Sequence, residues 1–193
     1  MKHLAITGNL GSGKTTICKL FEVLGIPIYY SDKEAKKLML QDKNLKKQIK
    51  DLLGNDAFHR NGRPNRKYIG SKIFSDKSLL ASMNTLVHPA VRADYKRWRE
   101  QQNAVFTLQE SALTYEIGAD KYMDATIVVY APEEVLISRG MNRDGVSRAA
   151  IVARLAKQMD QKLKIKKADF TINNDGKSAL IPQVYSIYKE LTK

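Results

Sequence analysis

The octapeptide Gly8-Asn9-Leu10-Gly11-Ser12-Gly13-Lys14-Thr15 constrains this chain more than any other stretch. It follows the apolar run Leu4-Ala5-Ile6 and precedes Ile17, Leu20 and Phe21, which recur at helical spacing. The segment reads as a buried strand, a glycine-rich loop and the first turns of a helix. Its pattern, Gly-x-x-x-x-Gly-Lys-Thr, is the phosphate-binding P-loop. The glycines let the backbone turn tightly and approach phosphate oxygens. Successive N–H groups at a helix N-terminus form an anion nest. In such a site Lys14 reaches the β- and γ-phosphates, and the Thr15 hydroxyl binds Mg²⁺. Gly8, Gly11, Ser12, Gly13, Lys14, Thr15 and Thr16 are therefore the expected nucleotide-binding residues. The motif specifies a ligand class and leaves the reaction open, because kinases, GTPases and helicases share it.

Apolar segments at 2–7, 26–30, 104–108, 126–130 and 169–172 alternate with helical patterns. This alternation predicts an α/β fold, a five-stranded parallel sheet flanked by helices in three layers. The core is expected from 1–41, 103–138 and 168–193. Residues of about 42–102 are helical, basic and too long for a simple crossover, so they read as an inserted substrate-binding lobe. Within the lobe, Ile69, Ile73 and Phe74 share one helical patch, and Leu79, Leu80, Met83 and Leu86 the next. A separate helix is expected to open at His88-Pro89, with proline in its first turn, and to run to about 102. Residues of about 139–167 read as a lid, with Arg139, Arg143 and Arg154 clustered around a glycine-containing hinge. Charge decoration on exposed helices explains the same arginines.

The 193 residues suffice for one domain with a real core. The single cysteine, Cys18, cannot form an internal disulfide, and no apolar run approaches a membrane span. The chain enters its first strand at once, which predicts no signal peptide and a cytoplasmic location. The net charge of +13 suits nucleic acid, an anionic membrane or a multiply anionic small molecule. Its lysines are spread along helices, as in Lys33/Lys36/Lys37, Lys43/Lys46/Lys47/Lys50 and Lys162/Lys164/Lys166/Lys167. Most of them read as solvated faces.

Further candidates lie at strand ends and in the lobe. Asp32 follows the second strand, where open α/β sheets place their ligands. A carboxylate there can accept a proton from a substrate hydroxyl. Ser31 and Glu34 also form a capping box, with Asp32 suited to the helix dipole. His88 and Arg92 stand one turn apart and can form an anion clamp, or be a cap and a solvated arginine. Glu110 and Glu116 can order Mg²⁺ or substrate, or serve in turns. The turn Asn173-Asn174-Asp175-Gly176 at the last strand end falls beside the expected nucleotide base.

Taken together, these stretches resemble the dephospho-CoA kinase family over nearly the whole chain. The likeness rests on the P-loop Gly8–Thr16, Tyr30-Ser31-Asp32 with Ala35, and Arg66 with Ile69-Gly70-Ser71-Lys72-Ile73-Phe74. It continues through His88-Pro89-Ala90-Val91-Arg92 and Leu113-Thr114-Tyr115-Glu116. Arg139 with Arg143-Asp144-Gly145, Gln158-Met159, Ala168-Asp169-Phe170 and Ile172-Asn173-Asn174-Asp175-Gly176 complete it. Two departures stand out. Tyr30-Ser31-Asp32 replaces the usual Asp-Ala-Asp, and Ala112-Leu113-Thr114 replaces the usual Pro-Leu-Leu.

The resemblance implies the core of nucleoside monophosphate kinases with a helical CoA lobe and a lid. It implies ATP and Mg²⁺ as donor and cofactor, and phosphorylation of the ribose 3′-hydroxyl of dephospho-CoA. The expected partner is a small molecule, not nucleic acid or a membrane. Asp32 would orient and deprotonate the hydroxyl, while Arg66, His88, Arg92 and Glu116 would bind the acceptor. Arg139 and Arg143 would close on the phosphates, Asn174 and Gly176 would flank adenine, and Thr15 would hold the metal. Rival readings are another P-loop kinase, a nucleotide switch and a basic nucleic-acid-dependent ATPase. No Asn-Lys-x-Asp guanine motif supports a GTP switch.

Overall fold

Five strands carry the apolar runs: β1 (Lys2–Thr7), β2 (Ile28–Tyr30), β3 (Phe106–Glu110), β4 (Ala125–Tyr130) and β5 (Phe170–Asn173). The structure is a computed structural model that describes residues 1–193, apart from the side chain of Phe74. The expected place of Phe74 in an apolar patch therefore lies outside the described side chains. All four strand pairings are parallel, in the order β2-β3-β1-β4-β5. Leu4, Ile6, Leu108, Ile127 and Val129 are fully buried, as a sheet covered on both faces requires. β1 lies between β3 and β4, with Ile6 opposite both Glu110 and Ile127. The chain leaves β1 toward one side and later returns to the other. The carboxyl end of β1 is thus the switch point at which such sheets bind ligands.

Helix α1 (Lys14–Val23) and helix α9 (Leu180–Leu191) pack on this sheet. Ile17, Cys18 and Phe21 from α1 meet Phe106 and Leu108, with the Phe21 and Phe106 rings edge-to-face at 6.2 Å. Burial, and then the carboxylates of Glu110 and Glu22, push the Cys18 thiol far above its ordinary pKa. It is a packing residue that stays protonated. After β4 come α6 (Glu133–Asp144), α7 (Arg148–Leu155) and α8 (Gln161–Lys167). α6 stops at Gly145 in the left-handed region, and Ser147 caps α7 by accepting from the Ala150 N–H.

Residues Ser31–Gln101 form a second compact unit with its own core. It holds α2 (Ser31–Gln41), α3 (Lys43–Leu53), a short 3₁₀ turn at Asn55–Ala57, α4 (Arg66–Ser75) and α5 (Lys77–Glu100). Leu45, Ile49, Leu53, Ala57, Phe58, Ile69 and Met83 fill its centre. The unit begins at Ser31, ahead of about 42, because α2 packs on α3 and α5. It has 17 Lys and Arg against 8 Asp and Glu, more than half of the net +13.

One expectation fails here. His88-Pro89 does not open a helix: α5 is continuous from Lys77, with Pro89 inside it. Asp76 starts it, accepting from the N–H groups of Ser78 and Leu79. Proline in a helix interior removes one hydrogen bond and costs about 3 kcal/mol. Pro89 and Thr85, whose carbonyl loses its helical partner, are both exposed residues. Met83, Leu79, Leu86 and Val87 hold the helix to the core on its other side.

Candidate active site

The P-loop is pressed between two backbone segments. A Cβ on Gly8 (φ +151°) would lie 2.4 Å from the Val129 carbonyl oxygen of β4. One on Gly11 (φ +81°) would lie 2.4 Å from the Leu136 carbonyl oxygen of α6. Backbone oxygens cannot give way as a flexible side chain can, so only glycine fits both positions. The N-terminus of α1, which follows, has no side-chain cap and no acidic residue in its first turn. Its positive dipole end suits an anion. Lys14 is buried and donates from Nζ to the carbonyl oxygens of Gly8 (2.8 Å) and Asn9 (3.4 Å).

Three buried side-chain oxygens in this segment have no hydrogen-bond partner among the described residues: Thr7 Oγ1, Asn9 Oδ1 and Ser12 Oγ. Each such group costs about 1–3 kcal/mol when left unmade. Three within six residues fit a loop completed by a polar ligand. Thr15 is exposed on the first turn of α1. Among the described residues, no group of three or more His, Cys, Asp or Glu is placed to hold a metal. A hydroxyl such as that of Thr15 is a residue type that could help to hold Mg²⁺, a cation that usually takes few protein ligands.

The loop after β5 reaches the P-loop. Asn174 is buried, and its Nδ2 donates to the Ser12 carbonyl oxygen at 2.8 Å. Arg139 on α6 donates to the Asn174 carbonyl oxygen (3.0 Å) and to Asn174 Oδ1 (3.3 Å). A Cβ on Gly176 would lie 3.7 Å from the Arg139 guanidinium. The structure thus brings Ser12, Gly13, Arg139, Asn174 and Gly176 together.

The expected cluster of three lid arginines divides. Arg139 turns to Asn174, whereas Arg143 grips Asp144 with Nε (2.8 Å) and Nη2 (3.1 Å). Arg154 pairs with the same carboxylate. The hydrogen bonds from Arg143, then from Arg154, hold the Asp144 carboxyl well below the usual range. This acid keeps both arginines in one fork.

Four expected acceptor residues lie in the helical unit. Asp32 is in the first turn of α2, Arg66 opens α4, and His88 and Arg92 are one turn apart on α5. Burial, and then the Arg92 charge, lower the His88 pKa below its ordinary 6.5. The folded protein binds this proton more weakly than the unfolded chain does. Stability is therefore full above pH 6.5 and falls as the pH drops toward the folded pKa. An NMR titration is expected to place His88 below 6.5 in the free protein and to move it upward with an added phosphate-bearing ligand, because an anion stabilises the imidazolium. A His88 resonance indifferent to that ligand would argue against an anion clamp.

Glu116 is engaged within the fold: its Oε1 accepts from the Met159 N–H (2.8 Å) and pairs with Lys164 (2.9 Å). Lys164 is fully buried, although its lysine-rich run reads as a solvated face. Gln158 Oε1 accepts the Leu10 N–H of the P-loop at 2.8 Å. Sequence reasoning gave Gln158 and Lys164 no role. Spacing could not reveal one, because their partners lie 148 and 52 residues away in the chain.

The model of the dephospho-CoA kinase family matches residues 2–179. A dephospho-CoA kinase of Bacteroides fragilis is 34% identical over 185 residues, covering 95% of this chain and 90% of its own. A solved dephospho-CoA kinase from Campylobacter jejuni superposes with a TM-score of 0.70 at 28% identity, covering 98% of this chain and 96% of that one. A Thermus thermophilus structure superposes at 0.88 with 30% identity, covering 100% and 98%. The P-loop at the switch point of a five-stranded parallel sheet and the match along almost the whole length agree: the chain belongs to the dephospho-CoA kinase family.

Proposed function

We propose that this enzyme transfers the γ-phosphoryl group of ATP to the ribose 3′-hydroxyl of dephospho-CoA, giving CoA and ADP, the last step of CoA synthesis. The observation that carries the reading is the uncapped N-terminus of α1 with Lys14 beneath it and Asn174 and Arg139 beside it, in a chain of this family. The acceptor oxygen bonds to the γ-phosphorus as the bond from that phosphorus to the ADP oxygen breaks. The hydroxyl proton passes to Asp32, and ADP leaves as the anion.

P-loop N–H groups and Lys14 hold the donor phosphates, Arg139 and Arg143 neutralise the transferring charge, and Asn174 and Gly176 flank the adenine. Arg143 must exchange Asp144 for a phosphate to do so. Thr15 would help to hold Mg²⁺, which when bound would supply charge neutralisation to the donor phosphates. Arg66, His88 and Arg92 bind the acceptor, whose pyrophosphate suits the basic helical unit. The enzyme works in the cytoplasm on small molecules.

Donor and metal are tested together. CoA formation from dephospho-CoA is expected with MgATP, to stop with EDTA and to return with excess Mg²⁺. Undiminished turnover in EDTA would remove the metal from this scheme. Turnover with nucleosides or nucleotides but not with dephospho-CoA would favour another P-loop kinase.

A further inference from the structure

The Gln158-Met159-Asp160 turn between α7 and α8 is tied on both sides. Toward the P-loop, Gln158 Oε1 accepts the Leu10 N–H (2.8 Å), and the Met159 carbonyl accepts from Asn9 Nδ2 (3.2 Å). Away from it, the Met159 N–H donates to Glu116 Oε1 (2.8 Å), which pairs with Lys164 Nζ (2.9 Å). Lys164 Nζ also donates to the Ala112 carbonyl oxygen (3.0 Å). Asp160 fixes the far end by capping α8 through the N–H groups of Lys162 and Leu163. The chain of contacts therefore runs from β3's outgoing loop, through Lys164 and Glu116, to the first half of the phosphate loop.

A fully buried ammonium is a poor stabilising device, because desolvation offsets most of the attraction in a buried ion pair. What this pair does supply is position. Its carboxylate holds the Met159 amide, which places Gln158 and Met159 where they grip Asn9 and Leu10. Those two residues sit between Gly8 and Gly11, both at positive φ, and glycine-flanked backbone has many alternative conformations to lose on binding phosphate. Ordering them beforehand lowers that cost.

We propose that Glu116, Lys164 and Gln158 form a clasp that pre-orders the phosphate loop. They are positioning residues for nucleotide binding that touch neither the phosphates nor the acceptor. The proposal rests on the kinase reading and assigns Glu116 a role other than substrate contact.

The test is calorimetric MgATP binding to the full chain, with melting temperature and the KM of each substrate measured beside it. The variants are Q158M, E116A/K164M and E116Q/K164M. Replacing both charges avoids an unpaired buried ammonium, so the double variants fold even if E116A alone does not. E116Q keeps an acceptor for the Met159 N–H, and E116A does not. Q158M and E116A/K164M are expected to weaken MgATP binding roughly 3- to 10-fold, the weight of one hydrogen bond. The KM for dephospho-CoA should stay within about twofold, and E116Q/K164M should recover affinity.

Wild-type MgATP affinity in all variants would overturn the clasp. So would equal losses in the two double variants that follow only their melting temperatures. A wild-type chain that binds no MgATP would overturn the kinase reading and the clasp together, whereas binding without turnover of dephospho-CoA would strike the kinase reading alone.

Discussion

Asp32→Asn is expected to lower kcat about 10²–10⁴-fold, the usual contribution of a positioned general base, with MgATP affinity within about twofold of the wild type. Asp32 lies in the first turn of α2, directly after β2, in the unit that carries most of the positive charge. A carboxylate in that turn also meets the helix dipole, and this competing role has a known size. Such an interaction is worth about 0.3–1 kcal/mol at an exposed site. That would move the melting temperature by a few degrees at most and leave turnover almost untouched. Asparagine keeps the shape and one acceptor oxygen while losing the base. A variant with a lower melting temperature and wild-type kcat would assign Asp32 to the helix start alone.

Lys14→Met should cost about 10²–10³-fold in kcat, the range seen when one preorganised charge-stabilising donor is removed. The buried ammonium of Lys14 now rests on the Gly8 and Asn9 carbonyls. In the proposed reaction it would exchange them for phosphate oxygens on which negative charge develops. Methionine fills the same channel without charge, so the fold should persist, with a melting temperature equal to or above that of the wild type. Paired measurements of thermal unfolding and steady-state turnover decide the matter. Lost activity that merely follows lost stability would make Lys14 a packing residue of the loop.

The sheet and the loop were legible because both have local signals. Buried parallel strands read as apolar runs such as Ile127-Val128-Val129, and the P-loop glycines occur at fixed spacing. The capped start at Asp76 is local too, yet the sequence reading began this helix at His88-Pro89 and gave Asp76 no part in it. Tertiary packing of Met83 and Leu86 carries α5 through the proline, and no window of sequence contains that energy. Lys164 was hidden for a similar reason. Four lysines in six residues look solvated, and only the fold shows that one of them turns inward to Glu116.

The arginines teach the same lesson. Arg139, Arg143 and Arg154 are close in sequence, but Arg139 is claimed by Asn174, 35 residues on, and the other two by Asp144. Asn174 itself was legible as a turn residue at a strand end. Its hydrogen bond to Ser12, 162 residues away, was not.

The most direct single measurement is ADP release from MgATP by the purified chain, with and without dephospho-CoA, with the product identified as CoA. The account predicts strong, saturable stimulation by dephospho-CoA, with one CoA formed for each ADP. A folded chain that binds MgATP but releases ADP at the same rate with and without dephospho-CoA would contradict it.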